Sequence, residues 1–290
     1  MNVCPWCGSP SNHEYIQLKD YFLSQEPFSV FECPSCHLLY TVPRPSSEKL
    51  GEYYKSENYY SHQENKHGLI PRIYESVKTV NLRRKVRLAT EGLSPGSVLD
   101  IGCGVGDFLA AMADQQWHIV GIEPDLDACA IAEKRLGVKP LSPHQYSSLP
   151  DHSMDLITLW HVLEHVEDLH FQFDELNRLL KPGGRLLIAL PNYTSYDAQY
   201  YGQFWAAWDV PRHLYHFNPD ALRKIVSSCS FEITDIQKLT WDAYYISYLS
   251  EGYQHHPLPL LRGFFVGLFS NLKACSTHSY SSLVYRLVKR

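Results

Sequence analysis

Three groups of residues in this 290-residue chain have types and spacings that could do chemistry. Cys4 and Cys7 in CPWC, and Cys33 and Cys36 in CPSC, place two thiolates on each of two tight turns, the arrangement that closes a tetrahedral four-cysteine zinc site. Four thiolates leave no open coordination position, so such a site folds its segment and does no chemistry, and His13 and His37 are not needed as ligands. A redox CxxC is the alternative. Asp100, Gly102, Gly104 and Gly106 form D-x-G-x-G-x-G, a loop whose glycines let the backbone approach a bulky ligand. Glu123, in GIEPD, follows about twenty residues after the loop, where an acid can accept hydrogen bonds from ribose hydroxyls. Histidines make the third group. His161 and His165 are four apart and on one helical turn would face the same way, as a metal pair or a proton relay. His213 and His216 lie in FWAAWDVPRHLYHFNPDALRKIV among Trp205, Trp208, Asp209, Tyr215 and Phe217, a segment suited to capping an active site.

The elements that must position these groups follow from periodicity. Short apolar runs, SVLDIG, HIVGIEP, MDLITLWH and GRLLIALPN, alternate with helical stretches near 107–115, 125–136 and 168–180, the last closed by LKPGG. Alternation of this kind predicts a parallel sheet with crossover helices, a doubly wound α/β domain, and it puts the glycine loop at the carboxyl end of the first strand, where ligands bind. NAD and S-adenosylmethionine both suit such a loop, but a dinucleotide fingerprint is G-x-G-x-x-G and this loop reads G-C-G-V-G-D.

Before this domain, Tyr15 to Phe31 supplies two or three short strands, too few for a core without metal. TVPRPSSEKL and a tyrosine-rich stretch (Tyr53, Tyr54, Tyr59, Tyr60) mark a boundary. Ile70, Ile73, Val77 and Val80 predict an amphipathic helix, whose basic run of Arg83, Arg84, Lys85 and Arg87 reads as a solvated face or as a contact to an anionic substrate. The predicted domains are 1–45, a zinc ribbon; 46–92, a helical connector; 93–240, the α/β domain; and 241–290, a C-terminal extension that contains LPLLRGFFVGLF. Net charge is −5, opposite in sign to a protein that binds chiefly by neutralising phosphates. No uncharged apolar run reaches the ~20 residues of a membrane span, and no signal sequence is evident at the start, so a cytoplasmic enzyme is expected. Cys103, Cys129, Cys229 and Cys275 read as small buried hydrophobes.

VLDIGCGVGDFL, GIEPD, LWHVLEHV and LLKPGGRLLIALPN together resemble class I S-adenosylmethionine-dependent methyltransferases over roughly residues 95–240. The resemblance implies a Rossmann-like sheet in which Asp100 and the 102–106 loop, Cys103 included, hold the methionine part of the cofactor, and Glu123, beside Pro124, binds its ribose. It puts Gln145 where the family often has an aspartate on the adenine amine, and Trp160 and His161 on the methyl-transfer side. The ribbon, the Pro-Arg-Pro exit, the tyrosine-rich connector and the 204–226 segment resemble zinc-ribbon methyltransferases, including bacterial sugar C-methyltransferases. Aligned on Leu214 and Phe217, the second histidine of their His-Glu-His-Leu segment matches His213, and this chain has Arg212 where they have the glutamate.

The expectation is therefore an S-adenosylmethionine-dependent methyltransferase with a structural zinc. Its acceptor would be small or carrier-linked, such as a nucleotide sugar or a hydroxylated metabolite, methylated on oxygen or carbon. His213 is the expected general base, with Tyr215, His216 and His161 as the other candidates and Arg212 free to hold an acceptor phosphate. Two alternatives stay open: a zinc-ribbon nucleic-acid methyltransferase, and a scaffold that binds the cofactor without catalysis. The C-terminal extension is expected to pack in the core or an oligomer, or to touch a membrane near a lipid-linked substrate.

Overall fold

Each CxxC turn is closed by a backbone bond, Gly8 N to Cys4 O at 3.1 Å and His37 N to Cys33 O at 2.7 Å. In the computed structural model, which describes residues 3–54 and 69–290 and only the backbone of residues 47 and 69–77, these turns flank an antiparallel ribbon. Its strands are His13–Lys19 (β1), Pro27–Glu32 (β2) and Leu39–Val42 (β3). Tyr59 and Tyr60, and the side chains of Ile70, Ile73 and Val77, lie outside the described residues. The helix expected there spans Leu69–Thr90 (α1).

Ser97–Ile101 (β4), His118–Ile122 (β5), Met154–Trp160 (β6) and Leu180–Pro191 (β7) pair in parallel, as expected. Alternate residues face opposite layers, the two-residue period of a strand covered on both faces. Leu99, Ile101, Ile157, Leu159, Ile188 and Leu190 share one core with Phe173 and Leu176 of helix Leu169–Leu179 (α4), and Val98, Leu156, Leu187 and Ala189 share another with Val86, Phe108 and Met112. Helices Asp107–Ala113 (α2) and Leu126–Leu136 (α3) complete the crossovers.

Two boundaries differ from the sequence reading. The ribbon sheet has a fourth strand, Tyr215–His216 (β8), which comes from the capping segment and pairs with Leu39 and Tyr40. Residues 241–290 are not an appendage. Their strand Ser282–Lys289 (β10) lies between β7 and Phe231–Lys238 (β9), antiparallel to both, so the sheet runs β5-β4-β6-β7-β10-β9 and is mixed, not wholly parallel. SLVYRLVK is buried along most of its length, which an interior strand requires. Helices Tyr196–Tyr201 (α5) and Pro219–Ser227 (α6) follow β7, Asp242–Tyr253 (α7) takes up most of WDAYYISYLSEGYQ, and Pro259–Thr277 (α8) carries LPLLRGFFVGLF. Asp197, fully buried, accepts from Trp205 Nε1, Ser270 Oγ and Ser281 Oγ, which ties the capping segment to these C-terminal elements. Among the described residues no helix is long and apolar enough to cross a membrane. Of the scattered cysteines, Cys103 and Cys129 are buried, but Cys275 is exposed at the end of α8.

Candidate active site

The glycine loop leaves the carboxyl end of β4 with Gly102, Gly104 and Gly106 all at positive φ. A Cβ on Gly102 would meet Val162 Cγ2 at 2.5 Å, so that glycine serves chain packing, whereas nothing lies within 4 Å of a Cβ on Gly104. Open space above Gly104 is what a backbone cradle for a ligand needs. Glu123, at the end of β5, accepts from Gly104 N at 2.8 Å and Asp125 N at 2.9 Å; burial raises the pKa of its carboxyl, and the two amides partly offset this.

Asp100 is buried beneath the loop, accepts from Thr158 Oγ1 at 2.6 Å, and is pushed by burial up to about 7. The other expected cofactor residues divide by environment. Cys103 packs against Gly121, where an added Cβ would sit 2.8 Å from its sulfur. Pro124 is exposed. Gln145 Oε1 accepts from Ser142 N in a capping box, which occupies the side chain in local structure. Trp160 meets Phe108 edge-on at 5.5 Å, and its Nε1 is buried with no hydrogen-bond partner among the described residues. Lys85, from the basic run of α1, turns inward over the Trp160 ring at 4.9 Å, and burial holds its ammonium pKa below the usual range. An orphaned donor, an open glycine and a buried acid around one loop fit the polar groups of S-adenosylmethionine.

The histidines arrange differently from the sequence reading. His161 has φ +60°, and only a three-residue 3-10 turn, Leu163–His165, follows, so no helical turn aligns His161 with His165. His161 instead sits between Asp242 Oδ2 at 3.0 Å and Glu164 Oε1 at 3.4 Å. Burial alone would lower its pKa, but the two carboxylates outweigh that and raise it to about 9. An imidazolium at neutral pH is a poor general base, which removes His161 from that role. His165 is held neutral, mainly by burial, at about 4; its Nδ1 lies 3.0 Å from both Arg212 O and Tyr54 Oη.

His213 Nδ1 is 2.9 Å from Ala207 O. A carbonyl only accepts, so Nδ1 carries a proton, and Nε2, 3.9 Å from Asp209 Oδ2, bears the lone pair of the neutral ring. Thr41 Oγ1 donates to His213 O at 2.7 Å and must therefore accept from His216 Nε2 at 3.1 Å, which fixes His216 in the opposite tautomer; burial depresses its pKa strongly. The two rings lie 6.3 Å apart on one pocket lined also by Glu164, Tyr193, Trp205 and Phe217. Tyr215 donates to Glu167 O at 3.1 Å beneath the Arg44 guanidinium, so its hydroxyl is committed to structure. Arg212 is unavailable to an acceptor phosphate: it is 3% exposed and bound to Asp20 at 2.9 Å and Asp209 at 2.6 Å. Sequence reasoning missed Thr41, Asp20 and Asp242, which reach the site only through tertiary pairing, and it named Lys85 only as part of the basic run.

The four thiols cluster as their spacing predicts. Cys4 Sγ is 3.6 Å from Cys36 Sγ and Cys7 Sγ 3.5 Å from Cys33 Sγ, close to the roughly 3.8 Å edge of a tetrahedral four-sulfur zinc site.

Comparisons with known proteins bear on the α/β domain. Residues 74–236 match the family model described as Methyltransferase domain. The chain is 34% identical over 105 residues to phosphoethanolamine N-methyltransferase 1 of Zea mays, covering 33% of this chain and 21% of that one. It is 29% identical over 166 residues to a ubiquinone biosynthesis O-methyltransferase of Pseudomonas aeruginosa, covering 52% and 71%. The chain thus spans about a fifth of the first relative. Among solved structures, a SAM-dependent methyltransferase from Archaeoglobus fulgidus superposes with TM-score 0.50 at 20% identity, covering 81% of this chain and all of that one. Phosphoethanolamine N-methyltransferase 2 of Haemonchus contortus, solved with phosphomonomethylethanolamine and S-adenosylhomocysteine, gives 0.52 at 16% identity, covering 96% and 68%. These structural likenesses show the fold. With the family model matching more than half of the chain, around the loop and acid described above, the chain belongs to the Methyltransferase domain family of S-adenosylmethionine-dependent methyltransferases.

Proposed function

We propose that the protein transfers a methyl group to a hydroxyl of a small or carrier-linked acceptor held between the capping segment and the carboxyl ends of β6 and β7. The observation that carries this reading is His213, whose protonated Nδ1 is anchored on Ala207 O while its Nε2 lone pair is left for the pocket. S-adenosylmethionine, when bound, supplies an electrophilic methyl on sulfonium sulfur. The chain's own residues do the rest. Gly104 and Glu123 would hold the cofactor, with Trp160 Nε1 as a further donor. Trp205, Tyr193 and Phe217 exclude water, and His213 handles the proton that the acceptor must lose. His216, neutral and fixed by Thr41, holds the opposite wall.

A zinc ion on Cys4, Cys7, Cys33 and Cys36 would fix the ribbon, in a reducing cytoplasm where such thiolates persist. Since β3 of the ribbon pairs with β8, that ion would also hold the wall bearing His216. A carrier-linked acceptor is supported by the outer face of α8, where Leu260, Leu261, Phe264, Phe265, Phe269 and Leu272 are each about half exposed. A row of that kind suits peripheral contact with a lipid surface. Net charge −5 speaks against a nucleic-acid substrate.

Labelled S-adenosylmethionine offered with metabolite extracts identifies the acceptor. His213→Ala should then lower turnover by ~100-fold or more with cofactor affinity unchanged. Wild-type turnover in that variant overturns the assignment of the proton to His213.

A further inference from the structure

Glu164 is 1% exposed, and neither of its carboxylate oxygens accepts a hydrogen bond among the described residues. Its nearest cation is the His161 ring at 3.4 Å. A carboxylate so placed lacks most of the partners that burial demands. Beside it, one ligand atom each from Glu164, His165 and His213 lie within 4.8 Å of one another. The two rings stand nearly perpendicular, 4.5 Å apart. Each is anchored in the same way, with Nδ1 on a backbone carbonyl, Arg212 O for His165 and Ala207 O for His213. That anchoring makes Nε2 the donor atom of each neutral ring and fixes ring orientation, the outer-shell arrangement typical of metal-binding histidines. The two contributing segments are joined in register by Leu214 N donating to Glu164 O at 2.8 Å.

We propose that Glu164, His165 and His213 form a divalent-metal site, separate from the four-cysteine cluster, whose remaining coordination positions open on the acceptor pocket. Glu164 and His213 both line that pocket. Two imidazoles with one carboxylate select zinc or a neighbouring first-row ion over magnesium or calcium, which prefer all-oxygen sets. Bonds of about 2.1 Å place donors roughly 3.4 Å apart, so donors now up to 4.8 Å apart need to close by about 1.4 Å at most. The ion's open positions would hold an acceptor oxygen and ease loss of its proton to water; with its Nε2 lone pair on the ion, His213 would then act as a ligand and not take that proton itself. This role for the site rests on the reading of the pocket given above; occupancy of the site does not.

The test is a cobalt(II) titration of the metal-stripped full chain, followed by optical spectroscopy and calorimetry. A four-thiolate site shows intense thiolate charge transfer in the near ultraviolet, and a two-imidazole, one-carboxylate site shows only weak visible bands. Two equivalents are expected, the second without charge transfer. Glu164→Gln and His165→Ala should each lose the second equivalent and keep the first. A single equivalent, or a second that survives both substitutions with unchanged affinity, overturns the site. The wild-type chain gives a further reading, since long-range proton–nitrogen NMR should show two histidine Nε2 signals shifting on addition of zinc; no shift counts against the proposal. If the chain binds S-adenosylmethionine and methylates an acceptor while taking one ion only, the metal site fails and the function proposed above stands.

Discussion

Arg212 Nη2 donates to Asp20 Oδ1 at 2.9 Å, joining two side chains 3% and 0% exposed that are 192 residues apart in the chain. The link fastens the ribbon to the segment that carries His213 and His216. It also holds Arg212 fully charged, because Asp209 and Asp20 together outweigh the burial that would otherwise lower its pKa.

Removing one member of a buried ion pair strands the other. Asp20→Ala should lower the unfolding free energy by about 3 kcal/mol or more, since Asp20 also accepts from the Phe22, Leu23 and Ser24 amides. Urea denaturation measures this. A loss below about 1 kcal/mol would show that Asp209 satisfies Arg212 alone.

A metal held by the four ribbon cysteines should matter to turnover although no cysteine lines the acceptor pocket. Stripping it frees β3 from its turns, and with β3 goes the pairing of Leu39 and Tyr40 to His216 and Tyr215. Elemental analysis set against methyl transfer should show both falling together and both returning with added zinc. A Cys4→Ser, Cys33→Ser chain with no thiolate-bound metal and full turnover would contradict the coupling.

Glu123→Ala should weaken S-adenosylmethionine binding by about 1.5 to 3 kcal/mol, the value of a charge-assisted hydrogen bond to a ribose hydroxyl. Calorimetry reads it directly. Unchanged affinity would mean that Glu123 serves only the Gly104 and Asp125 amides that it already binds.

Asp100 makes the stability of the cofactor-free chain depend on pH in an unusual direction. Its folded pKa, about 7, lies above its ordinary value of 3.8, so between those values the native state holds a proton that the unfolded chain has released. This group therefore favours folding at low pH and loses that contribution as pH rises toward 7. Asp100→Asn, which keeps an acceptor for Thr158, should gain stability relative to wild type as pH is raised from 5 to 8. Melting temperatures across that range give the difference, and a constant difference would refute the raised pKa.

Local patterns were legible in the sequence: two CxxC turns, a glycine loop and an acid one crossover later each need only short spacing. Lys85 was also within reach, since it falls three residues after Leu82 and four before Ala89, inside the buried stripe of α1, but its charge suggested solvent. Thr41, Asp20 and Asp242 carry no local signal, because each acquires its role from a segment far away in sequence. The tautomers of His213 and His216 depend on a threonine hydroxyl that donates in one direction and accepts in the other, a relation no spacing encodes.

The position of β10 also bears on synthesis. β7 and β9 are made before the strand that separates them, and each presents an unsatisfied edge of amides and carbonyls until residues 282–289 leave the ribosome. Such edges recruit strands from other chains. A nascent chain stalled before Ser282 should therefore need a chaperone, however complete its glycine loop and ribbon.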